Sequence, residues 1–280
     1  MANALSVLFL NMWGPRYPEE VLRLAMKPST PYDIICFTEV THLKSPLPQA
    51  KVYQDGADVP TLIDGHRFFT NHLNTHYEHR FDATDTEPWI CARTQATYHN
   101  VGYGSSLFWR RRGSFTQSFS GAVPINTGHP HRGVRTLQWV VILREGVRYL
   151  IAHLHGVWIE GNTKGDSAER LKQSKLVRTE LDKLMRKMSC RKLVFGGDLN
   201  LALNTEALKR LEGVGNEPRL QNLIRDDGIE STRTRHYRRH GEGSQHADYV
   251  FVSGDVQVRS FEVDTNFTGS DHAPLMVTFT

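Results

Sequence analysis

The chain has 280 residues, 39% hydrophobic and 23% charged, with a formal net charge of +4 and an isoelectric point near 9.0. This is the composition of a soluble globular protein, and no apolar run is long enough to cross a bilayer as a helix. The three cysteines, Cys36, Cys91 and Cys190, are too few and too scattered for a disulfide framework or a Cys-rich zinc site, which points to a reducing, cytoplasmic setting.

The opening stretch "MANALSVLFLNMWG" has no basic segment or small-residue cleavage site, and Leu5 to Leu10 reads as a first strand. Pro18 to Met26 has helical spacing with a proline near its start, and "DIICFTEV", Asp33 to Val40, is a second strand. From about residue 45 to 100 there is no clear periodicity, and Pro, Asp, His and Thr abound, so long loops are expected. Strands follow at Ser105 to Arg111, Thr136 to Leu143 and Arg148 to Leu154. Ala168 to Met188 is the clearest helix, with Leu171, Val177, Leu181, Leu184 and Met188 falling largely on one stripe. "KLVFGGDLN", Lys192 to Asn200, is a buried strand that stops at two glycines. Short helical segments are expected at Thr205 to Leu211 and Pro218 to Ile224, then strands at Ala247 to Val252, Val256 to Val263 and Pro274 to Phe279. With no internal repeat or linker, the pattern predicts one domain over residues 1–280. Two sheets pack face to face with helices outside, a four-layer α/β/β/α sandwich.

Polar residues recur where strands end. Asn11 follows "LFL", Glu39 follows "ICFT", "AHLHG" holds His153 and His155, and "GGDLN" ends in Asp198 and Asn200. Asp248 opens a late strand, and Asp271 and His272 precede the last one. Each alone is an ordinary turn, cap or core residue. Together they are different, because carboxylates gathered in a low-dielectric site need cations. Alternation along a strand places Asp198 and Asn200 on one side. Oxygen-only donors of this kind suit Mg²⁺ or Mn²⁺, and there is no HExxH or paired CxxC for zinc. A histidine held by a carboxylate, such as His272 by Asp248, can activate water or neutralise charge on phosphorus oxygens.

The ordered set "LN", "FTEV", "AHLHG", "GGDLN", "ADYVFVSG" and "SDHAPL" resembles the endonuclease/exonuclease/phosphatase superfamily over nearly the whole chain. The resemblance implies a metal-dependent phosphoesterase. Asn11, Glu39 and Asp271 would lie at the metal. Asp198 and Asn200 would contact the attacking water, the phosphate or a second metal. His272 would pair with Asp248, and His153 would contact the phosphate, with His155 the alternative. The sequence departs from the family where some members carry an acidic residue two positions after Asn11, because Trp13 stands there.

The expected activity is Mg²⁺- or Mn²⁺-dependent phosphodiester hydrolysis on nucleic acid, with no membrane partner. Basic-aromatic stretches support that substrate: "GHRFFTNHLNTHYEHR", Gly65 to Arg80; Arg110 to Arg112; and "RTRHYRRH", Arg233 to His240. A small phosphorylated molecule or a lipid headgroup is the alternative substrate, and a non-catalytic nucleic-acid-binding module the third reading. Arg132 and Arg135 are expected near the rim of the site, and Lys164, Asp166 and Arg170 near the start of the long helix.

Overall fold

The computed structural model describes residues 4–27, 31–44, 50–53, 59–111, 115–128, 134–159, 164–215, 217–237 and 245–280. Arg112, Arg132 and the end of the basic stretch, 238–240, lie outside the described residues.

Alternation builds the layers. β1 (Leu5–Asn11), β2 (Ile34–Leu43) and β6 (Thr97–Arg110) lie side by side in one six-stranded sheet. Leu5, Val7, Phe9, Ile34, Cys36, Leu107 and Trp109 belong to the main core, while the residues between them, Leu8, Leu10, Ile35, Phe37 and Phe108, join a second core on the other face. Helices α1 (Pro18–Ala25) and α2 (Gly65–Leu73) cover that second face with Val21, Ala25, Phe69 and Leu73. Each of the larger side chains among these contributes roughly 1.5–3 kcal/mol on burial.

Between and beyond these elements run β3 (Lys51–Val52), β4 (Thr61–Leu62), β5 (Tyr77–Ile90), β7 (Gln117–Asn126), β8 (Val134–Arg144) and β9 (Val147–His153). The remainder comprises α3 (Ala168–Lys187), β10 (Lys192–Asp198), α4 (Glu206–Glu212), β11 (Leu220–Asn222), α5 (Leu223–Asp226), β12 (Asp248–Ser253), β13 (Val258–Val263) and β14 (Leu275–Phe279). The first sheet has the order β13-β14-β1-β2-β6-β5 and the second β11-β12-β10-β9-β8-β7, with β3 and β4 forming a separate pair. Both large sheets are mixed: β1 pairs parallel with β2 and antiparallel with β14, and β10 pairs parallel with β9 and antiparallel with β12. With Val177, Leu181 and Leu184 of α3 and Ala207 and Leu208 of α4 in the core of the second sheet, the architecture is the expected four-layer sandwich.

Three segments differ from expectation. The region expected as loops holds α2 and the 14-residue strand β5, and β6 starts at Thr97 instead of Ser105. β5 is largely exposed, so it lacks the apolar alternation that marks a half-buried strand. Its pairing with β6 forms it. The second difference is β7, "QSFSGAVPIN", which contains Gly121 and Pro124, residues that weaken a strand signal but are tolerated at the edge of a sheet. The third is the expected helix at Pro218 to Ile224. It splits into β11, which pairs with β12, and one turn, α5, whose N-terminal Arg225 N–H is accepted by Asn222. Among the described residues, no helix is long and apolar enough to cross a membrane.

Two buried histidines give the fold a pH dependence. Burial pushes His66, on α2, and His153, on β9, down to about 3. In an unfolded chain each would titrate near 6.5, so below that pH the unfolded state takes up protons that the native state refuses. Their contribution is fully present above pH 6.5 and is lost as pH falls toward 3, at roughly 1 kcal/mol per pH unit for each group. Urea midpoints should therefore fall between pH 6.5 and 5, and His66→Gln should flatten that slope.

Candidate active site

One end of the two sheets carries the polar residues. In β2 the pairing with β6 slips between Phe37 and Val40, so Thr38 and Glu39 together face one partner residue. Glu39 adopts φ 56°, a left-handed conformation costing a non-glycine residue about 1–2 kcal/mol. The bulge turns its carboxylate out of the strand's alternation. Asn11, at the end of β1, donates from Nδ2 to Glu39 Oε1 at 3.0 Å and to Asp198 Oδ2 at 2.9 Å. Its Oδ1 accepts the Trp13 N–H at 2.9 Å, which fixes the amide orientation.

The second sheet supplies the facing side. A Cβ on Gly156 would lie 2.2 Å from Leu199 O, so only glycine lets the segment after β9 run this close to the end of β10. Gly197, with φ 124°, holds a backbone shape that suits glycine alone. This close approach brings His155 Nε2 to 3.6 Å from Glu39 Oε1 and 3.7 Å from Asp198 Oδ2. Asp198 Oδ1 accepts the Asn200 N–H at 2.9 Å, and Asn200 Nδ2 donates to Gly156 O at 3.4 Å.

The third part comes from β12 and the turn before β14. His272 Nδ1 lies 2.8 Å from Asp248 Oδ2, and Thr232 Oγ1 donates to the same oxygen at 3.1 Å. The carboxylate makes Nδ1 the protonated nitrogen and leaves Nε2 pointing into the cleft, 3.7 Å from Asp198 Oδ2 and 3.8 Å from Asp271 Oδ1. Arg233 Nη1 meets Nε2, and a backbone bridge joins the two residues. Ser270 Oγ donates to Asn11 O at 2.7 Å, tying this turn to β1.

Charge balance decides the protonation states. Burial raises Asp198, but His272, His155, Arg233 and Lys164 outweigh it and hold the carboxyl well below the usual range. Burial also raises Glu39, and His155, His272 and the hydrogen bonds from Asn11 and Tyr103 bring it below its ordinary value. Asp271 ends above its ordinary value through burial, with Glu39 and Asp248 adding to the effect. Burial and Arg233 lower His272, and Asp248, Asp271 and Asp198 more than reverse them. Lys164 is pushed down to about 8, chiefly by burial and then by Arg233.

The profile of the Endonuclease/Exonuclease/phosphatase family matches residues 8–272. The chain belongs to this family. It is accordingly a phosphoric ester hydrolase of the endonuclease/exonuclease/phosphatase type. No curated protein matches it in sequence. Among solved structures it resembles an endonuclease/exonuclease/phosphatase from Bacteroides vulgatus at 15% identity, covering 99% of each chain with a TM-score of 0.68. It also resembles a mannosyl-6-phosphatase from Bacteroides thetaiotaomicron at 16% identity, covering 99% of each chain with a TM-score of 0.68. The human Nocturnin catalytic domain with bound sulfate anion shares 20% identity over 99% of this chain and 93% of that one, with a TM-score of 0.65. At these identities the likenesses establish the fold.

Members of the endonuclease/exonuclease/phosphatase family are metal-dependent, and the residues here fit a metal ion. Ligand atoms of Glu39, His155 and Asp198 lie within 4.8 Å of one another, as do those of Asp198, Asp248 and His272. Asp271 Oδ1 is buried with no hydrogen-bond partner among the described residues, a polar atom left for something else to satisfy.

The structure gathers Asn11, Glu39, Asp198, Asn200, Asp248, Asp271 and His272 at this end of the sheets, and it differs from expectation at two of the eight residues. Asn11 was expected to present oxygen to a metal, yet it presents Nδ2 to two carboxylates, because Trp13 N–H takes the oxygen. His153 was expected at the phosphate, yet its Nε2 is 2.6 Å from Gln138 Oε1, and Gln138 in turn donates to Asp82 Oδ2 at 2.7 Å. His153 is still within β9 and wholly buried, whereas His155 lies beyond the strand end where the chain reaches the cleft. Sequence reasoning also passed over Tyr103, whose hydroxyl bonds Glu39 from the part of β6 that lies ahead of the expected strand start at Ser105. Thr232 went unnoticed too. Arg233 was in view only as one cation of a basic stretch, and no spacing marked it as turning inward.

Because the charged form of Asp271 is disfavoured in the fold, Asp271→Asn should stabilise the metal-free protein. Each kcal/mol gained would raise Tm in chelator by roughly 2–4 °C for a chain of this size. Differential scanning calorimetry in EDTA measures it.

Proposed function

We propose that the chain, acting as one domain over residues 1–280, is a Mg²⁺-dependent phosphodiesterase that cleaves nucleic acid by attack of water on phosphorus. The observation that carries this reading is the convergence of Glu39, Asp198 and Asp271 with His155, Arg233 and the His272–Asp248 pair in one cleft. Carboxylates dominate the donor set, which suits Mg²⁺ or Mn²⁺. Glu39, Asp198 and Asp271 would hold the ion, which when bound neutralises charge on the phosphoryl and leaving oxygens.

The side chains divide the remaining work. Asp198 and Asn200 orient the water, and its proton passes to the Asp198–His272 pair, whose facing atoms are 3.7 Å apart. Asp248 holds the His272 ring through Nδ1 and stabilises it when charged. Arg233 and Lys164 supply positive charge for the phosphoryl oxygens as charge shifts among them, and His155, whose burial favours the neutral ring, offers a hydrogen bond there. Asn11 acts as a strut that keeps Glu39 and Asp198 at a fixed separation. The net charge of +4 supports a polyanionic substrate. Three free cysteines support a cytoplasmic location.

The deciding experiment is a substrate panel with Mg²⁺, Mn²⁺ or EDTA: single- and double-stranded DNA, RNA, a generic phosphodiester, a sugar phosphate and phosphoinositides. Cleavage of nucleic acid that needs the ion and disappears in Asp198→Ala supports the proposal. Turnover of only the sugar phosphate or the phosphoinositide would move the substrate to a small phosphoester or a lipid headgroup, and equal activity in Asp198→Ala would expose a contaminant. The two histidines separate in the same assay. His155→Ala should lower kcat by about 10²–10⁴-fold, the range of a group that transfers or compensates charge at the reacting centre. His153→Gln should leave kcat within a few-fold of wild type and lower the urea midpoint.

A further inference from the structure

Trp13, where some relatives of the family carry an acid, is the first of three rings at the mouth of the cleft. The Trp13 and His236 rings lie 6.0 Å apart at 34°, and His236 stacks on Tyr17 at 5.3 Å and 29°. All three are only partly buried. Cations flank them: Arg16 lies over the Trp13 ring at 4.7 Å, and Arg233 and Lys164 lie over the neighbouring Tyr237 ring at 4.2 and 5.5 Å.

Two of the rings, Trp13 and His236, are joined to the catalytic residues through short, rigid links, and Tyr17 reaches them through its contact with His236. Trp13 N–H is bound by Asn11 Oδ1, the amide that braces Glu39 and Asp198. His236 N–H is bound by Thr234 Oγ1, which itself donates to Ser270 O, while Thr234 N–H donates to Asp271 O. His236 Nε2 is 3.1 Å from Thr268 O, which sets the ring plane. Trp13 has φ 54°, a conformation that a bulky non-glycine residue holds at a cost of about 1–3 kcal/mol and that collects at functional sites. The Tyr17 side chain makes no capping bond although it stands at the start of α1. None of the three rings is needed to complete the main core or the core under α1 and α2.

Partly exposed rings beside cations, one short link from the proposed phosphate site, match what single-stranded nucleic acid requires: aromatic faces for bases and positive charge for the backbone. A lipid tail or an apolar peptide would gain nothing from the guanidinium groups. We propose that Trp13, His236 and Tyr17 form a stacking platform for an unpaired nucleobase next to the scissile phosphate, making this enzyme selective for single strands. A base can reach the platform only after leaving its neighbours in a duplex, which costs a few kcal/mol. The inference rests on the nucleic-acid reading of the site.

Two single-stranded oligonucleotides test it, one normal and one with an abasic tetrahydrofuran unit beside the cleaved phosphate, together with a matching duplex. Trp13→Ala keeps the backbone link to Asn11, and Tyr17→Ala removes no cap. Each should lower kcat/KM on the normal strand by about 5–100-fold, the usual worth of one base–aromatic contact. The effect should fall mainly on KM, while the abasic strand is cleaved equally by variants and wild type. Trp13→Phe should recover most of the loss. Anisotropy of the labelled strands on Asp198→Asn protein without metal should show the same base-dependent loss of binding. Equal losses on normal and abasic strands, no loss on either, or no preference of the wild type for single strand over duplex would each overturn the platform. A wild type that cleaves the generic phosphodiester but no oligonucleotide would overturn the nucleic-acid reading and the platform with it.

Discussion

Four carboxylates share one desolvated cleft, and everything around them answers to that. Left alone, Glu39, Asp198, Asp248 and Asp271 would repel one another at a cost no small protein could carry. Asn11 spans two of them, Thr232 and His272 hold the third, and Arg233 and Lys164 bring positive charge, with the buried His155 ring between Glu39 and Asp198. The compensation is incomplete at Asp271, whose Oδ1 stays buried and unbonded. A fully satisfied cluster would be inert, whereas this one retains attraction for a cation.

Backbone strain follows the same geography. Of the eight non-glycine residues with positive φ among the described residues, Trp13, Glu39, Lys164 and Asn200 belong to the cleft or its rim. Regular strands would aim alternate side chains up and down and would carry these groups past the cleft. Left-handed residues and the β2 bulge redirect them, at an energetic cost that the two hydrophobic cores offset. Rigid sheets thus set position to within a residue, and small irregularities set direction.

This division explains what could be read from the chain. Apolar runs in β1, β2, β9 and β10 were legible because each of these strands is buried on both faces, and the polar residues at their ends stood out against that background. The layered sandwich followed from those strands and from α3. The exposed β5 was not legible, since pairing with β6 forms it. Nor could spacing distinguish His153 from His155. Both sit on one alternation, and the difference is where β9 stops pairing with β10, at His153 opposite Gly196. Direction at a strand end depends on backbone irregularities such as the close approach at Gly156, which no pattern of apolar residues encodes.

The neighbours of β1 have a bearing on synthesis. β1 pairs with β14, and the bond from Ser270 to Asn11 spans 259 positions. Domains emerge from the ribosome N-terminus first, and contacts so distant along the chain are slow to form. A nascent polypeptide carrying β1, β2 and even β10 still lacks Asp271 and His272. The catalytic cleft of the phosphoesterase is therefore incomplete until translation has passed the turn before the last strand.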